Sequence, residues 1–419
     1  MKITVLGLGR IGLPTSLLLA SNGNQVVGVD IDQKKIKCLS KGKMPFFEPG
    51  LEDLFLSARP SFKPSLYVEE SDAFLIAVPT PLDCTTYSAR LSYVKDAANM
   101  LSPFLRRGNA VILESTVPPK TTAEIVRPIL EKSGLKAGRD FYLAHCPERA
   151  IPGKTIQEMI HNDRIIGGIN QESAEFAKRI YSTFVKGKMF LTDLTTAEFV
   201  KLMENIYRDV NIALVNELAQ LAEELGVNVW EAIDLANRHP RVHLHKPGPG
   251  VGGYCIPIDS WFIIQNIPND RILSMARRIN DFMPNYILFK AKRMLNGIRN
   301  PRITVFGVAY KGNVDDSRES PATKLIRLAE NDKFEVRVYD PVVKEYCYPL
   351  SDLREAVENS DLIILITDHD AFMDVDPGEV APLMRNRNLM DTRNLLDHQR
   401  WRDAGFNVYV LGVGRDEDV

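Results

Sequence analysis

The first thirty residues restrict the fold more than any other stretch of this chain. Residues 2–6 (KITVL) read as a short buried strand, residues 10–22 as a helix, and residues 25–30 (QVVGVD) as a second strand ending in an acid. Between the first strand and the helix stands Gly7-Leu-Gly9-Arg-Ile-Gly12. A strand that enters a helix through three glycines so spaced and then returns as a strand opens a doubly wound parallel sheet. Gly7 permits the tight turn, Gly9 lets a pyrophosphate approach the backbone, and Gly12 lets the helix lie close to the strand. The helix N-terminus adds free N–H groups and the positive end of its dipole. Asp30 suits ribose hydroxyls and repels a 2′-phosphate, which favours NAD over NADP. Ile11 and Lys35 are counted with these residues as cofactor contacts. Thr80 and Thr116 stand in loops after the apolar runs 73–78 and 110–113, outside the carboxyl ends of strands, where such sheets place ligands. Read singly, each threonine is an ordinary turn or cap residue.

The same alternation continues to residue 193. Apolar runs at 73–78 (AFLIAV), 110–113 (AVIL) and 141–144 (FYLA) are separated by helical patterns, and 164–168 and 188–192 add edge strands. From 194 the pattern changes. Residues 195–225 carry apolar positions at helical spacing with no proline or glycine until Gly226, which predicts one long helix. Further helical stretches follow at about 228–237 and 270–296. At 301 the strand–helix alternation resumes (PRITVFGVAY, EVRVY ending at Asp340, DLIILIT, 388–391 and 406–411). The expected architecture is α/β, with two Rossmann-like doubly wound domains, 1–193 and 298–419, joined by a central all-helical domain, 194–297. Gly307 and Gly312 echo the first glycine turn without restoring its full spacing.

A chain of 419 residues is long enough for two or three domains. Its net charge of -2 offers no polyanion-binding face, so nucleic acid is not an expected partner. The five cysteines are odd in number and widely spaced, which argues against a disulfide framework and for a reducing cytoplasm. No CxxC or HExxH pattern supports a metal site. Leu17-Leu18-Leu19-Ala20-Ser21 faintly mimics a signal peptide, but the glycines before it and Pro14 interrupt the apolar run. Nothing approaches the roughly 20 apolar residues of a membrane span.

The chemistry is carried by Gly248-Pro-Gly-Val-Gly252-Gly-Tyr-Cys255-Ile-Pro-Ile-Asp259. Four glycines in six residues allow turns that side chains would block and bring ligands close to the main chain. A free cysteine is usually a small buried hydrophobe. In this loop, beside a carboxylate four residues on and in a chain with a dinucleotide fingerprint, it becomes a candidate nucleophile. A nicotinamide site with a catalytic thiol points to oxidation through a covalent thio-intermediate.

These segments together resemble the UDP-glucose/GDP-mannose dehydrogenase family over essentially the whole chain. The resemblance rests on the fingerprint, Glu114-Ser-Thr116, Cys146-Pro-Glu148-Arg149, Glu198-Phe-Val-Lys201-Leu-Met-Glu-Asn205, the thiol loop, and Phe306-Gly-Val-Ala-Tyr310-Lys311 through Asp316-Ser-Arg318. The family oxidises a sugar C6 alcohol to a carboxylate with two NAD. The resemblance implies that Cys255 attacks the intermediate aldehyde and then carries a thioester. It implies oxyanion stabilisation by Lys201 and Asn205, which share a helix face, with Arg208 a turn further on. Asp259 and Glu148 match family residues that manage protons and position the hydrolytic water, and Thr116 one near the nicotinamide.

Arg149, Ala150, His239, Arg241 and Gly252 match substrate contacts, as do Lys201, Asn205 and Arg208. Tyr310 and Lys311 match the nucleotide-binding strand end of the last domain. Arg318 matches a residue that completes the cofactor site, commonly from a neighbouring subunit. Guanidinium groups suit the diphosphate of a UDP-sugar. The stretches CPERAIPG, HNDRIIGG and His239-Pro-Arg241-Val are nearest the family's mannosamine-type branch. Tyr254 stands where that branch has His, Ser260 where Pro is common, and Ile256-Pro-Ile258 is closer to relatives acting on UDP-N-acetylglucosamine. N-acetylglucosamine and glucose substrates therefore stay open beside N-acetylmannosamine. A homodimer or higher homo-oligomer, built on the 195–295 helices, is expected.

Overall fold

The structure, a computed structural model of the chain, describes residues 1–83, 85–265 and 271–414. Two compact units emerge. One holds the chain through Glu204 plus the short segment from Trp261; the other holds Asn205–Ser260 and the chain from the helix Ile272–Met294 onward.

The first unit is built on an eight-stranded sheet. Its strands are β1 (Lys2–Leu6), β2 (Gln25–Val29), β3 (Phe62–Ser65), β4 (Ala73–Ile76), β7 (Ala110–Leu113), β8 (Tyr142–His145), β9 (Arg164–Gly168) and β10 (Met189–Asp193), with β5 (Leu82–Asp83) and β6 (Ser88–Ala89) forming a separate hairpin. The spatial order is β10-β9-β8-β7-β4-β1-β2-β3. All ladders are parallel except β8 with β9, so the last two strands run opposite to the expected all-parallel sheet. Alternate residues of β4 feed two cores: Ala73 and Leu75 face one, Phe74 and Ile76 the other. Burial on both faces explains why the strand reads as a continuous apolar run. β3 contains Pro64, which hides it from a strand reading; at the sheet edge a missing N–H is tolerated.

The second unit contains the five-stranded parallel sheet β12-β11-β13-β14-β15, with β11 at Arg302–Phe306, β12 at Glu335–Tyr339, β13 at Leu362–Leu365, β14 at Asn388–Asp391 and β15 at Asn407–Val410. Leu362 and Ile364 enter one core, Ile363 and Leu365 the other. This repeats the two-faced logic of the first sheet.

The predicted long helix is Leu194–Leu225, 32 residues, ended by Gly226 at φ +71°. A shorter helix, Val229–Ala236, is capped by the Asn228 side chain, and Ile272–Met294 runs 23 residues with Pro284 inside it. The long helix has an unusual sidedness. Glu198, Lys201, Asn205, Asp209 and Asn216, spaced three, four, four and seven apart, are all buried. Phe199, Met203, Tyr207, Leu214, Leu221 and Leu225 are exposed.

Candidate active site

In the first unit the glycine turn has the geometry its spacing predicts. Gly7 sits at φ +96°, and a Cβ there would lie 2.5 Å from the Ala77 carbonyl oxygen. A Cβ on Gly12 would lie 1.9 Å from the Gly7 carbonyl oxygen, so the helix that begins there packs directly on the turn. Gly9 differs: a Cβ there would meet nothing within 4 Å. The fold needs no glycine at 9, whereas close approach by a pyrophosphate would.

Asp30 follows β2. Its Oδ2 accepts from Leu8 N (2.9 Å) and Lys35 Nζ (2.6 Å), and its Oδ1 from Asp32 N (3.0 Å). Lys35 thus bears on the turn through Asp30. Ile11 immediately precedes the helix and packs its side chain against the core. A tight turn, open space above Gly9 and an acid at the strand end fit NAD, and Gly7, Gly9, Gly12 and Asp30 are the residues that would hold it.

The next two loops are tied together. Thr80 Oγ1 donates to the Thr116 carbonyl (2.7 Å), and Ser115 Oγ to the Val78 carbonyl (2.7 Å). Glu148 lies buried after β8. Its Oε1 accepts from Arg149 N (2.7 Å) and Ala150 N (2.9 Å), and its Oε2 from Arg164 (2.6 Å). The Arg149 guanidinium pairs with Glu204 at 2.6 Å and donates to the Asp163 carbonyl at 2.8 Å. Lys201 is buried on the long helix, one turn after Glu198. The Glu198 carboxylate accepts from Thr122 N, Thr122 Oγ1 and Lys120 N. Burial nonetheless pushes it up to about 7.

Sequence reasoning gave no role to Arg164, Glu114 or Tyr181, which cluster around Glu148. Arg164 is fully buried at the head of β9, with its guanidinium 4.7 Å from the Tyr181 ring centre and 5.5 Å from that of Phe184. Tyr181 Oη donates to Glu114 Oε1 at 2.7 Å. Burial pushes Glu114 up to about 7, against the pull of Arg164. A charged residue heading the otherwise apolar strand RIIGG was the available signal.

In the second unit Cys255 is exposed and immediately precedes the single helical turn Ile256–Asp259. Pro257 starts that turn, and Asp259 N donates back to the Cys255 carbonyl at 2.7 Å. The buried Asp259 carboxylate accepts from Asn205 Nδ2 at 2.5 Å, and Asn205 Oδ1 accepts from Arg208 at 2.5 Å. Carboxylate, amide and guanidinium are therefore consecutive links of one side-chain series, and the backbone of Asp259 ties it to Cys255, one helical turn earlier. Beneath them Ser260 Oγ donates to Asp209 Oδ2 (3.1 Å), and Asp209 Oδ1 accepts from Arg277 (2.5 Å) and Asn280 (2.8 Å). Burial pushes Asp209 up, with Arg277 opposing. The sequence did not flag this buried support.

The glycines of the thiol loop are used for close approach. A Cβ on Gly252 would lie 2.8 Å from the Glu319 carbonyl oxygen and from Tyr310 Cβ; one on Gly253 would lie 2.9 Å from the Tyr310 ring. Gly253 N donates to the Arg318 carbonyl at 3.0 Å. Tyr310 and Lys311, on the loop after β11, thus adjoin the thiol loop through Tyr310. The Arg318 guanidinium pairs with Asp316 at 2.6 Å and stands 5.2 Å from the Tyr254 ring centre. It belongs to the unit of the thiol loop, not that of the glycine turn. His239 and Arg241 lie on an exposed turn beyond Val229–Ala236, where His239 Nδ1 accepts from Arg241 N at 3.3 Å.

Three family models match in succession. They are the NAD binding domain (1–185), the central domain (195–282) and the UDP binding domain (304–398) of the UDP-glucose/GDP-mannose dehydrogenase family. The chain belongs to that family. It is an NAD-dependent nucleotide-sugar dehydrogenase. A UDP-N-acetyl-D-mannosamine dehydrogenase of Methanococcus maripaludis strain C7 is 47% identical over 99% of this chain and 97% of its own length. The solved UDP-D-ManNAc dehydrogenase of Pyrococcus horikoshii superimposes with a TM-score of 0.92 at 42% identity, covering 99% of this chain and 100% of that one. A UDP-N-acetyl-mannosamine dehydrogenase of Staphylococcus aureus gives 0.89 at 42% identity, covering 98% of each chain.

Proposed function

We propose that this dehydrogenase oxidises UDP-N-acetyl-D-mannosamine at C6 to UDP-N-acetyl-D-mannosaminuronate, in two two-electron steps, with Cys255 as covalent nucleophile. The observation that carries the reading is an exposed Cys255 one helical turn from Asp259 and joined to it by a backbone hydrogen bond, with the buried Asp259 carboxylate continuing through side chains to Asn205 and Arg208. Bound NAD supplies the hydride acceptor for each oxidation. The residues of the chain do the rest. Lys201 and Asn205, one turn apart on one helix face, stabilise the oxyanion that develops at C6. The sulfur of Cys255 adds to the aldehyde carbon as a thiolate, giving a thiohemiacetal. After the second oxidation the carbon is a thioester, and a water held by Glu148 and Thr116 hydrolyses it. Asp259 takes and returns the thiol proton.

The sugar assignment rests on the named relatives and on CPERAIPG, HNDRIIGG and His239-Pro-Arg241. In this reading Arg149, Ala150, His239, Arg241 and Gly252 contact the sugar and diphosphate, and Tyr310 and Lys311 the uridine nucleotide. The three-domain division at 193 and 297 and a cytoplasmic location belong to the same proposal. Among the described residues, no helix is long and apolar enough to cross a membrane.

The test is NADH formed per sugar consumed, with UDP-N-acetylmannosamine, UDP-N-acetylglucosamine and UDP-glucose in parallel. Two NADH per UDP-N-acetylmannosamine, with little from the others, is expected. Preferential turnover of another sugar keeps the chemistry and replaces the substrate. Cys255→Ala is expected to abolish acid formation; full activity in that variant overturns the thioester route.

A homodimer is part of the proposal. Phe199, Met203, Tyr207, Leu214, Leu221 and Leu225 form an exposed apolar stripe, spaced by fours and sevens, on a helix that also buries Glu198, Lys201, Asn205, Asp209 and Asn216. A stripe so spaced along 32 residues suits the same stripe of a second copy. A monomer across a concentration series in light scattering refutes it.

A further inference from the structure

We propose that Arg164 is the positioning residue that aims the Glu148 carboxylate at the hydrolytic water, making it specific to the thioester-hydrolysis half of the reaction. This rests on the reading of Glu148 as the group that handles that water.

A carboxylate offers about four acceptor sites. Three of those of Glu148 are taken inside its own unit: Arg149 N and Ala150 N on Oε1, and Arg164 Nη2 on Oε2. The two amides come from the residues just after Glu148 and cannot by themselves fix its torsions. Arg164 reaches in from another strand, 16 residues on, and locks the second oxygen at 2.6 Å. One acceptor direction remains on Glu148, and a single direction is enough to orient one water.

The guanidinium is itself held from several sides. Its Nη1 is 3.8 Å from Cys146 Sγ, its Nη2 is 3.5 Å from the Met159 carbonyl, and its face lies against Tyr181 and Phe184. Glu114 grips the Tyr181 hydroxyl, so the ring that sets the guanidinium plane is fixed in turn. Glu114 is two residues before Thr116, and the contact series therefore joins the loops of both proposed water-handling residues. A buried ion pair is weak evidence for stability, because desolvation offsets much of the attraction. This arrangement supplies a defined direction instead.

In the hydrolytic step the water oxygen bonds to the thioester carbonyl carbon and its proton passes to the Glu148 carboxylate. The C–S bond breaks, and its electron pair leaves on the Cys255 thiolate. The carboxylic acid then ionises. Neither oxidation needs this proton transfer.

The experiment mixes full-length enzyme with NAD and UDP-sugar, follows NADH by stopped flow, and measures the covalent adduct on the intact protein by mass spectrometry. Glu148→Gln is expected to form two NADH per site rapidly and then stall with the adduct in place. Arg164→Ala is expected to do the same, with hydrolysis slowed about 100-fold, the scale of an ångström-level misplacement. Added guanidinium ion is expected to speed hydrolysis in Arg164→Ala and not in Glu148→Gln. Arg164→Lys, which retains a buried cation but not the planar fork, covers the case in which the alanine variant does not fold. It is expected to slow hydrolysis about tenfold with both oxidations unchanged. Wild-type hydrolysis in Arg164→Lys, or equal slowing of oxidation and hydrolysis, overturns the positioning role. No adduct in Glu148→Gln overturns instead the water-handling reading beneath it.

Discussion

Gly7 and Gly307 hold the same place in two sheets, each closing the first strand of its unit at a positive φ, +96° and +87°. The amide of each donates to the last residue of the neighbouring strand, Val29 and Tyr339. The next amide, Leu8 or Val308, donates to the acid just beyond that strand, Asp30 or Asp340. After this the two diverge. In the first unit the helix begins at Gly12, on top of the turn. In the second, Ala309 replaces the middle glycine, Gly312 abuts the Asp368 carbonyl instead, and the helix waits until Pro321. The intervening loop carries Asp316 and Arg318, and Tyr310 at its start packs on the thiol loop. Asp340 is saturated by Val308, Ala309, Val342, Val343 and the buried His369, which together hold it below the usual carboxylate range against the upward push of burial. The shared device is the acid-braced turn. The two units differ in the segment that leaves the turn.

The strongest way to break this comparison is to fill the two closest glycines. Gly12→Ala places a Cβ against the Gly7 carbonyl and is expected to abolish NAD binding and to lower the melting temperature more than Gly312→Ala, Asp340→Asn or Asp30→Asn. Gly312→Ala meets the Asp368 carbonyl at 2.2 Å and is expected to destabilise the second unit while leaving NAD affinity intact. Calorimetric NAD titration beside thermal melting separates the two. If Gly312→Ala weakens NAD binding as much as Gly12→Ala, the two turns are not functionally distinct. Next in size is Asp340→Asn. It leaves amides donating to an amide nitrogen in a buried site, and is expected to cost about 2–4 kcal/mol in denaturant titration. Asp30→Asn is expected to cost less stability and to relax the preference for NAD over NADP. An unchanged cofactor preference removes Asp30 from the ribose site.

These contrasts also mark what the sequence could and could not say. The first turn, its acid and the long helix were legible because local patterns dictate them: glycines at fixed offsets, an apolar run broken by turns, thirty residues without a breaker. The reversal of β9 against β8 was not, since strand direction is decided by the path of the chain and RIIGG reads alike either way. β3 was hidden by Pro64, which only its edge position excuses. Among the candidate residues, Cys255 and Asp259 were legible, four apart in a glycine loop. Arg164, Glu114 and Tyr181 did not, because their partners lie 16 to 67 residues away and their burial is a property of the folded unit. Asp209 and Arg277 escaped for the same reason, being 68 residues apart.

The comparison extends to the strand ends two places further along each sheet. Asp391 ends β14 and accepts from Arg393 N, Leu395 N, Leu396 N and His398. Glu114 stands just after the corresponding β7, but Oε1 takes only the Tyr181 hydroxyl, and Oε2 has no hydrogen-bond partner among the described residues. With so few donors, burial raises Glu114 from 4.5 to about 7. The unfolded chain releases this proton near 4.5, while the folded chain keeps it until about 7. Stability therefore falls as pH rises through that window, by about 3–4 kcal/mol in full. Glu114→Gln keeps the shape and the acceptor for Tyr181 without the charge. It is expected to unfold at higher denaturant than the parent at about pH 8 and to match it at about pH 3.5, on either side of the titration window. An advantage of equal size at both pH values means that Glu114 titrates alike in both states.

The smallest effect on the fold is expected at Gly9, and its smallness is the informative part. Gly9 is the one fingerprint glycine with neither a positive φ nor a neighbour within 4 Å of a Cβ. Replacing it with alanine adds one methyl group to open space and is expected to leave stability within about 0.5 kcal/mol of the parent. The same methyl group would occupy the path by which a pyrophosphate reaches the backbone amides. NAD affinity is therefore expected to fall by at least tenfold in a protein whose melting curve is unchanged. Alanine already stands at the equivalent position of the second turn, as Ala309, where the acid brace survives without a glycine fingerprint. If Gly9→Ala binds NAD like the parent, the open space is not the cofactor's, and the contrast between the two turns must lie in the loops that leave them.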